Sequence, residues 1–300
     1  MEVYAPVVVF AYKRADKLKQ CLEALGKNKL AEKTDLYIFS DGSKGETDVT
    51  EVEAVRAYIK EFVQGASFQS VQVIESEKNK GLANSIISGV SYVIERHGKV
   101  IVVEDDLVVS EDFIFYMNKA LDFYGVYPEY GSISGYTLPI RALKKYDKDV
   151  YVLRKGDCWG WATWKDRWEN VDWQVETYKK YCKDRKARKE FNKLQNSLDD
   201  MLALQMEGKI DSWAVRWCYH LFTHHLLTVY PTKSRVVNIG VDGSGTHCTA
   251  TDIYDADMER VHAQCVFERL KVNRRLERKT ARFETTSKIQ NLLAHMFRQS

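Results

Sequence analysis

Four short apolar runs, spaced through the first hundred residues and separated by amphipathic stretches, restrict the fold of this chain more than any other feature. VVVFAYKR (Val7 to Arg14), DLYIFS (Asp35 to Ser40), Val71 to Ile74 and KVIVV (Lys99 to Val103) read as strands. Between them, Leu18, Cys21, Leu22 and Leu25 recur at helical spacing and stop at Gly26, and Val52, Val55, Ile59 and Phe62 follow the same period. A third helix opens at Asn79-Lys80-Gly81-Leu82-Ala83 and runs to about Arg96, with Ile86, Ile87, Val90, Val93 and Ile94 as its apolar set. Such alternation predicts right-handed βαβ units, and so an α/β fold with a mostly parallel central sheet flanked by helices.

The fourth run ends in three consecutive carboxylates, Glu104, Asp105 and Asp106, followed by the start of another helix. In open α/β sheets, ligands bind at the carboxyl ends of the strands. Three acids on a buried strand end are costly unless a cation or substrate uses them. Hard oxygen ligands suit Mn2+ or Mg2+, held by one or two carboxylates together with substrate phosphates. The alternative is an exposed acidic turn with Ser110 capping the next helix. Asp41-Gly42-Ser43 also follows a strand, so the two polar loops share one sheet edge. Asn79 and Lys80 lie near a helix start, where phosphate binding is favoured.

The second half has a different character. Gly131 to Tyr136 reads as a strand, and a Trp-rich stretch follows from Asp157 to Trp164, extended by Trp168 and Trp173. Arg185 to Gly208 reads as one charged helix and Trp213 to His225 as a buried one that contains His224 and His225 as structural residues. Leu226 to Tyr230 and Arg235 to Ile239 read as short strands, and Gly240, Gly243 and Gly245 at VDGSGTHC read as a flexible, lid-like loop. The six cysteines are scattered without CxxC pairing, which points to a reducing compartment rather than a disulfide framework or zinc site. The chain enters its first strand by Pro6 without a basic leader, and no run is apolar enough to span a bilayer; a cytoplasmic protein is expected. A net charge of +3 does not indicate a nucleic-acid partner, but the positive charge is concentrated after Glu259. With Phe267, Leu270, Leu276, Phe283 and Phe297 among its cations, this tail is either a solvated helix or a peripheral contact with the inner face of an anionic membrane.

The succession PVVVFAYKR, SDGS, NKGLANS and an acidic EDD resembles family 2 glycosyltransferases of the GT-A fold. EDDLVVSEDF is similar to the metal motif of N-acetylglucosaminyltransferase I, with further likeness in Lys155 to Trp161, Ile210 to Trp213 and Val241 to His247. The resemblance implies a glycosyltransferase domain over residues 1–250, with a nucleotide-sugar half (1–125), an acceptor half (126–250) and a basic helical extension (251–300). It implies that Phe10, Ala11, Tyr12 and Arg14 lie at the strand end against a UDP-sugar, and that Asp41 contacts the uracil. Lys80 and Gly81 then belong to the donor site. Asp106 would bind Mn2+ directly, Asp105 the ribose or a metal water, and Glu104 the sugar hydroxyls. Gly243 to His247 would close over the donor, with His247 reaching the pyrophosphate or metal. Trp159, Gly160 and Trp161 would form an acceptor-side turn, and Asp211 would be the general base.

The chemistry is coherent with these assignments. A metal on Asp106 would stabilise the diphosphate leaving group, and one carboxylate on the opposite face would take the acceptor proton, predicting inversion at the anomeric carbon. The acceptor is expected to be a saccharide or a lipid-linked molecule. Each residue also has a plainer reading. Asp41 could make an Asx turn, Asp211 could cap the following helix with Asp157 or Asp242 as base instead, and the tryptophans could be core. A sugar nucleotidyltransferase should carry a Gly-rich loop after the first strand, and Ala11-Tyr12-Lys13-Arg14 has no glycine. A non-catalytic nucleotide-sugar-binding scaffold would keep the fold and lose the acids.

Overall fold

A computed structural model describes residues 3–241, 253–254, 258 and 264–284. His247, Asp242, Gly243 and Gly245 of the lid-like loop lie outside the described residues, as does Phe297; Gly240 is described. The first half follows the predicted alternation: β1 (Val7–Ala11), α1 (Ala15–Gly26), β2 (Asp35–Ser40), α2 (Val49–Gly65), β3 (Ser70–Glu75), α3 (Leu82–His97) and β4 (Lys99–Glu104). The four strands pair in parallel in the order β3-β2-β1-β4.

Beyond β4 come β5 (Leu107–Val109), α4 (Phe113–Tyr124), β6 (Tyr130–Ser134), β7 (Val150–Leu153) and β8 (Trp161–Trp164). The helices α5 (Lys165–Trp168), α6 (Tyr178–Lys183), α7 (Arg185–Asn192), α8 (Leu198–Met206) and α9 (Trp213–Thr223) follow, then β9 (Leu227–Pro231) and β10 (Val236–Asn238). β8, β6, β9 and β7 extend the sheet past β4. β8 runs antiparallel to β4 and β6, and β7 antiparallel to β9, so the sheet is mostly parallel. β5 and β10 form a separate antiparallel pair.

The pleat sorts the core into two layers, because successive side chains on a strand point to opposite faces. Val7, Val9 and Ala11 face α1, α2 and α4, whereas Val8 and Phe10 face α3 and α9. A third cluster holds α6 to α9 together through Phe191, Leu198, Leu202 and Tyr219.

Several local expectations change. The single helix from Arg185 to Gly208 is two, α7 and α8, broken where Ser197 takes a positive φ of 82°. The break is closed by Asn192, whose side chain accepts from the Asp199 N–H at 3.0 Å, and by the Arg188–Asp199 ion pair. Ser110 does not cap α4 through its side chain; its hydroxyl donates to Asp112 at 2.7 Å. His224 and His225 lie exposed beyond the end of α9, whereas His220, not singled out from the sequence, is buried within it.

The described part of the basic tail is also not a free amphipathic surface. Residues 274–284 form a helix, α10, and the chain from 264 leads into it along the body. Phe267 meets Tyr116, Phe123 and Tyr124, and Leu276 is buried. Leu270 and Phe283 pack on the same core. The Tyr124 and Tyr130 hydroxyls donate to the carbonyls of Glu268 and Leu270. Of the apolar residues named for the membrane reading, Leu276 is buried and Phe267, Leu270 and Phe283 are partly buried against the body of the protein. Among the described residues, no helix is long and apolar enough to cross a membrane.

Candidate active site

Strand order reverses between β1 and β4, and in an open α/β sheet the crevice at that reversal is the ligand site. The acids and the first strand end meet there. The Asp105 N–H donates to the Phe10 carbonyl at 3.0 Å, and the Tyr12 N–H reaches the Asp105 carboxylate at 3.5 Å. Arg14 donates to the Asp105 carboxylate and, at 2.9 Å, to Asp106. This one guanidinium faces three acids. Burial, reinforced by Asp106 and Asp105, pushes the Glu104 carboxyl up to about 8. Burial also raises Asp105 to about 6 despite Arg14. Burial alone would lower the Arg14 value, but Asp105 and Asp106 outweigh it and hold the guanidinium more strongly protonated than usual.

The opposite wall of Asp106 is backbone. β10 pairs with β5, and the Ile239 N–H donates to the Asp106 carbonyl at 2.8 Å. Next to it, a Cβ on Gly240 would fall 2.2 Å from the Asp106 carboxylate. Glycine is needed there because backbone and carboxylate approach so closely.

The second polar loop follows β2 and is hydrogen-bonded to the loop that precedes α3. Asp41 is buried, and its carboxylate accepts from the N–H groups of Gly42 (2.9 Å), Lys80 (2.9 and 3.1 Å) and Gly81 (3.1 Å). The Asn79 side chain adds a bond to the Gly42 carbonyl at 2.8 Å. Asp41 thus performs more than the local Asx turn; it ties two loops across the sheet edge. It also engages the N–H groups at the start of α3 that the sequence offered to a phosphate.

Asp211 comes to the same place from the second half. A Cβ on Gly81 would lie 3.8 Å from the Asp211 carboxylate. Asp211 is half exposed and accepts from Arg216 at 2.9 Å. Arg216 is itself fixed by the carbonyls of Ser212 (3.1 Å) and Trp173 (3.2 Å). The cap of α9 is not Asp211: the Ser212 hydroxyl accepts from the Val215 N–H at 3.3 Å. Arg216 was not singled out in the sequence, although it is the one strongly charged residue in the apolar run of α9 (WAVRWCYHLFT).

Three expected contacts are corrected. Phe10 is 4% exposed and stacks on Phe39 at 5.3 Å, so its ring belongs to the core and only its backbone lies at the crevice. Trp161 is completely buried in β8, stacked on Trp213 at 5.1 Å, and is closed to any sugar. Gly160 has a φ of 64°, and a Cβ there would fall 2.7 Å from Val236; its glycine serves packing rather than substrate approach. Trp159 remains partly exposed, set edge-on to Tyr136 at 4.6 Å. The Tyr12 hydroxyl donates to Asp48, and burial together with that carboxylate pushes its pKa up to about 12. The alternative base, Asp157, is raised to about 6 by burial and accepts from the Trp159 N–H at 3.0 Å, an inward position.

Among the described residues, no three acids, histidines or cysteines converge into a closed metal cage. The three acids outnumber the one cation among them, and the Asp106 carboxylate keeps some exposure, a donor set that fits a divalent ion shared with a substrate diphosphate. Asp106, with Asp105 beside it, would hold that ion.

Residues 7–180 match the model of glycosyl transferase family 2. The chain belongs to that family, and is a glycosyltransferase with the GT-A arrangement of an α/β fold. No curated protein matches the chain. Among solved structures it is similar to S. aureus TarS, with 12% identity, a TM-score of 0.33 and coverage of 43% of this chain and 21% of that one. It is also similar to the galactosyltransferase LgtC in complex with donor and acceptor sugar analogs (11%, 0.39, 72% and 70%). A third likeness is to mouse xyloside xylosyltransferase 1 in its apo form (10%, 0.39, 74% and 83%). These likenesses are too loose to bear on substrate.

Proposed function

We propose that the chain is a metal-assisted, inverting glycosyltransferase that moves a sugar from a UDP-sugar, of the GlcNAc or a related hexose type, to a saccharide or lipid-linked acceptor in polysaccharide or glycolipid assembly. The supporting observation is the meeting of the β4 acids, the Arg14 strand end, the Asp41 loop and Asp211 on one sheet edge. Asp41 frames the nucleotide pocket by holding the Lys80–Gly81 loop, and any contact with uracil is made from that fixed position. Arg14 orients Asp105 and Asp106 and limits their mutual repulsion. Asp106 would hold Mn2+ or Mg2+, and such an ion would supply Lewis-acid charge to the leaving diphosphate. Asp211, aimed by Arg216, takes the proton from the acceptor hydroxyl, and a single base of this kind corresponds to inversion.

The test is UDP release from a panel of UDP-sugars with Mn2+, using wild type, Asp211→Asn and Asp106→Ala. Loss of a general base costs roughly 10²–10⁴-fold in turnover, so Asp211→Asn should fall in that range while still binding UDP. Wild-type turnover in Asp211→Asn would remove it as the base.

A further inference from the structure

A second concave surface lies between the 141–145 turn and α10. It is a groove of about 910 Å³. Arg141 and Lys145 stand on one wall, and Arg275, Lys279 and Arg282 on the other; no carboxylate lines it among the described residues. Arg141, Lys145, Arg275 and Lys279 form no ion pair with a described residue. Like charges gathered around a hollow repel one another, and an anion within the hollow relieves that repulsion. The acids of α10 do not serve: Glu277 accepts from Arg154 at 2.7 and 2.9 Å, and Glu284 is paired with Lys155.

The groove is joined to the acceptor half by aromatic rings. Phe283, on its wall, meets Tyr254 at 6.2 Å, and Tyr254 meets Trp159 at 5.8 Å. The Tyr136 hydroxyl donates to the Tyr254 carbonyl at 2.9 Å, and Tyr136 follows β6 at the same sheet edge as the β4 acids. The partly exposed rings of Trp159, Tyr254 and Phe283 offer apolar faces for sugar rings while charged substituents meet the cations.

We propose that this groove binds the distal part of an anionic acceptor, a saccharide chain bearing phosphate or carboxylate groups. The proposal rests on the transferase reading for the word acceptor, while the anion site stands on its own geometry. Shape favours an extended chain over a membrane surface, because the cations line a hollow that a flat bilayer does not enter. Guanidinium forks suit either oxyanion through paired hydrogen bonds.

The experiment uses the full chain at physiological salt. A labelled hexamer of galacturonate, neutral maltohexaose, and vesicles of phosphatidylglycerol or phosphatidylcholine are the probes. Lys145→Glu/Lys279→Glu is compared with Lys183→Glu/Lys186→Glu, the same change in charge at exposed positions on α6 and α7. All four lysines are exposed, so melting temperatures should stay at the wild-type value. The groove variant should bind the galacturonate hexamer roughly tenfold or more weakly, and the control variant should match wild type. Three results overturn the proposal: equal binding of the neutral and acidic hexamers, equal weakening by both variants, or groove-dependent binding to phosphatidylglycerol vesicles without binding to the hexamer. UDP binding is measured in parallel, so loss of the donor reading is distinguished from loss of the anion groove.

Discussion

At the scale of residues, the site depends on close approaches that leave no room for one more atom. Gly240 is the sharpest. Alanine there would overlap the Asp106 carboxylate and force it to turn. Gly240→Ala should fold with a melting temperature near wild type, yet lose most Mn2+-dependent UDP binding, as measured by calorimetry; undiminished binding would show that Asp106 does not face the donor. Asp41 is the complementary case. Asp41→Ala strips the Lys80 and Gly81 N–H groups of a charged acceptor, a loss of roughly 2–3 kcal/mol of stability in denaturant titration. Asp41 was legible because an acid just after a buried strand is uncommon without a reason, whereas Gly240 read only as part of a flexible loop and its close approach to Asp106 was not visible. Neither was the direction of each ring. Trp159 and Trp161 stand two apart in the same motif, but one is on the surface and the other in the core, and only the partners Trp213 and Trp217 decide it.

At the scale of elements, the alternating first half is the legible part. α1, α2 and α3 bury one stripe each and are located by period, and β1, β2 and β4 are largely apolar runs of five or six residues that alternate with those helices, so length and order locate them. β7 and β8 escape this reading because each is only four residues long, and β8 is half tryptophan. The α7–α8 break escapes it because Leu194 and Leu198 keep helical spacing across the turn and are both buried. α10 shows how composition misleads. Its sequence is strongly basic, yet it is anchored by its few acids, Glu277 to Arg154 and Glu284 to Lys155. Glu277→Ala leaves Arg154 without its fork and should destabilise the protein by roughly 3 kcal/mol in denaturant titration. A change below a few tenths would mean that α10 is held only by Leu276 and its apolar neighbours.

At the scale of the whole molecule, the two halves are welded by α9, which packs on α3 through Trp213 and Trp217 while carrying Asp211 at its start. The same helix sets an acid limit on stability. Burial, with His224 nearby, lowers the His220 value to about 4. Between about 6.5 and 4 the unfolded chain takes up a proton at this position that the folded chain does not. Stability from this group is therefore complete above the unfolded value and falls as pH drops through that window. His220→Phe should flatten roughly 2 kcal/mol of that decline in melting measured from pH 7 to 4. An unchanged slope would assign the acid loss to other groups.

A nucleotide diphosphate is expected to bind at the β1–β4 reversal together with a divalent ion on Asp106. The most direct measurement is thermal stabilisation by UDP, with and without Mn2+, on wild type and Asp106→Ala. A ligand that binds only the folded state raises its stability by mass action. Stabilisation by UDP that requires both Mn2+ and Asp106 is the predicted result. Stabilisation of both proteins to the same extent, or of neither, would contradict it.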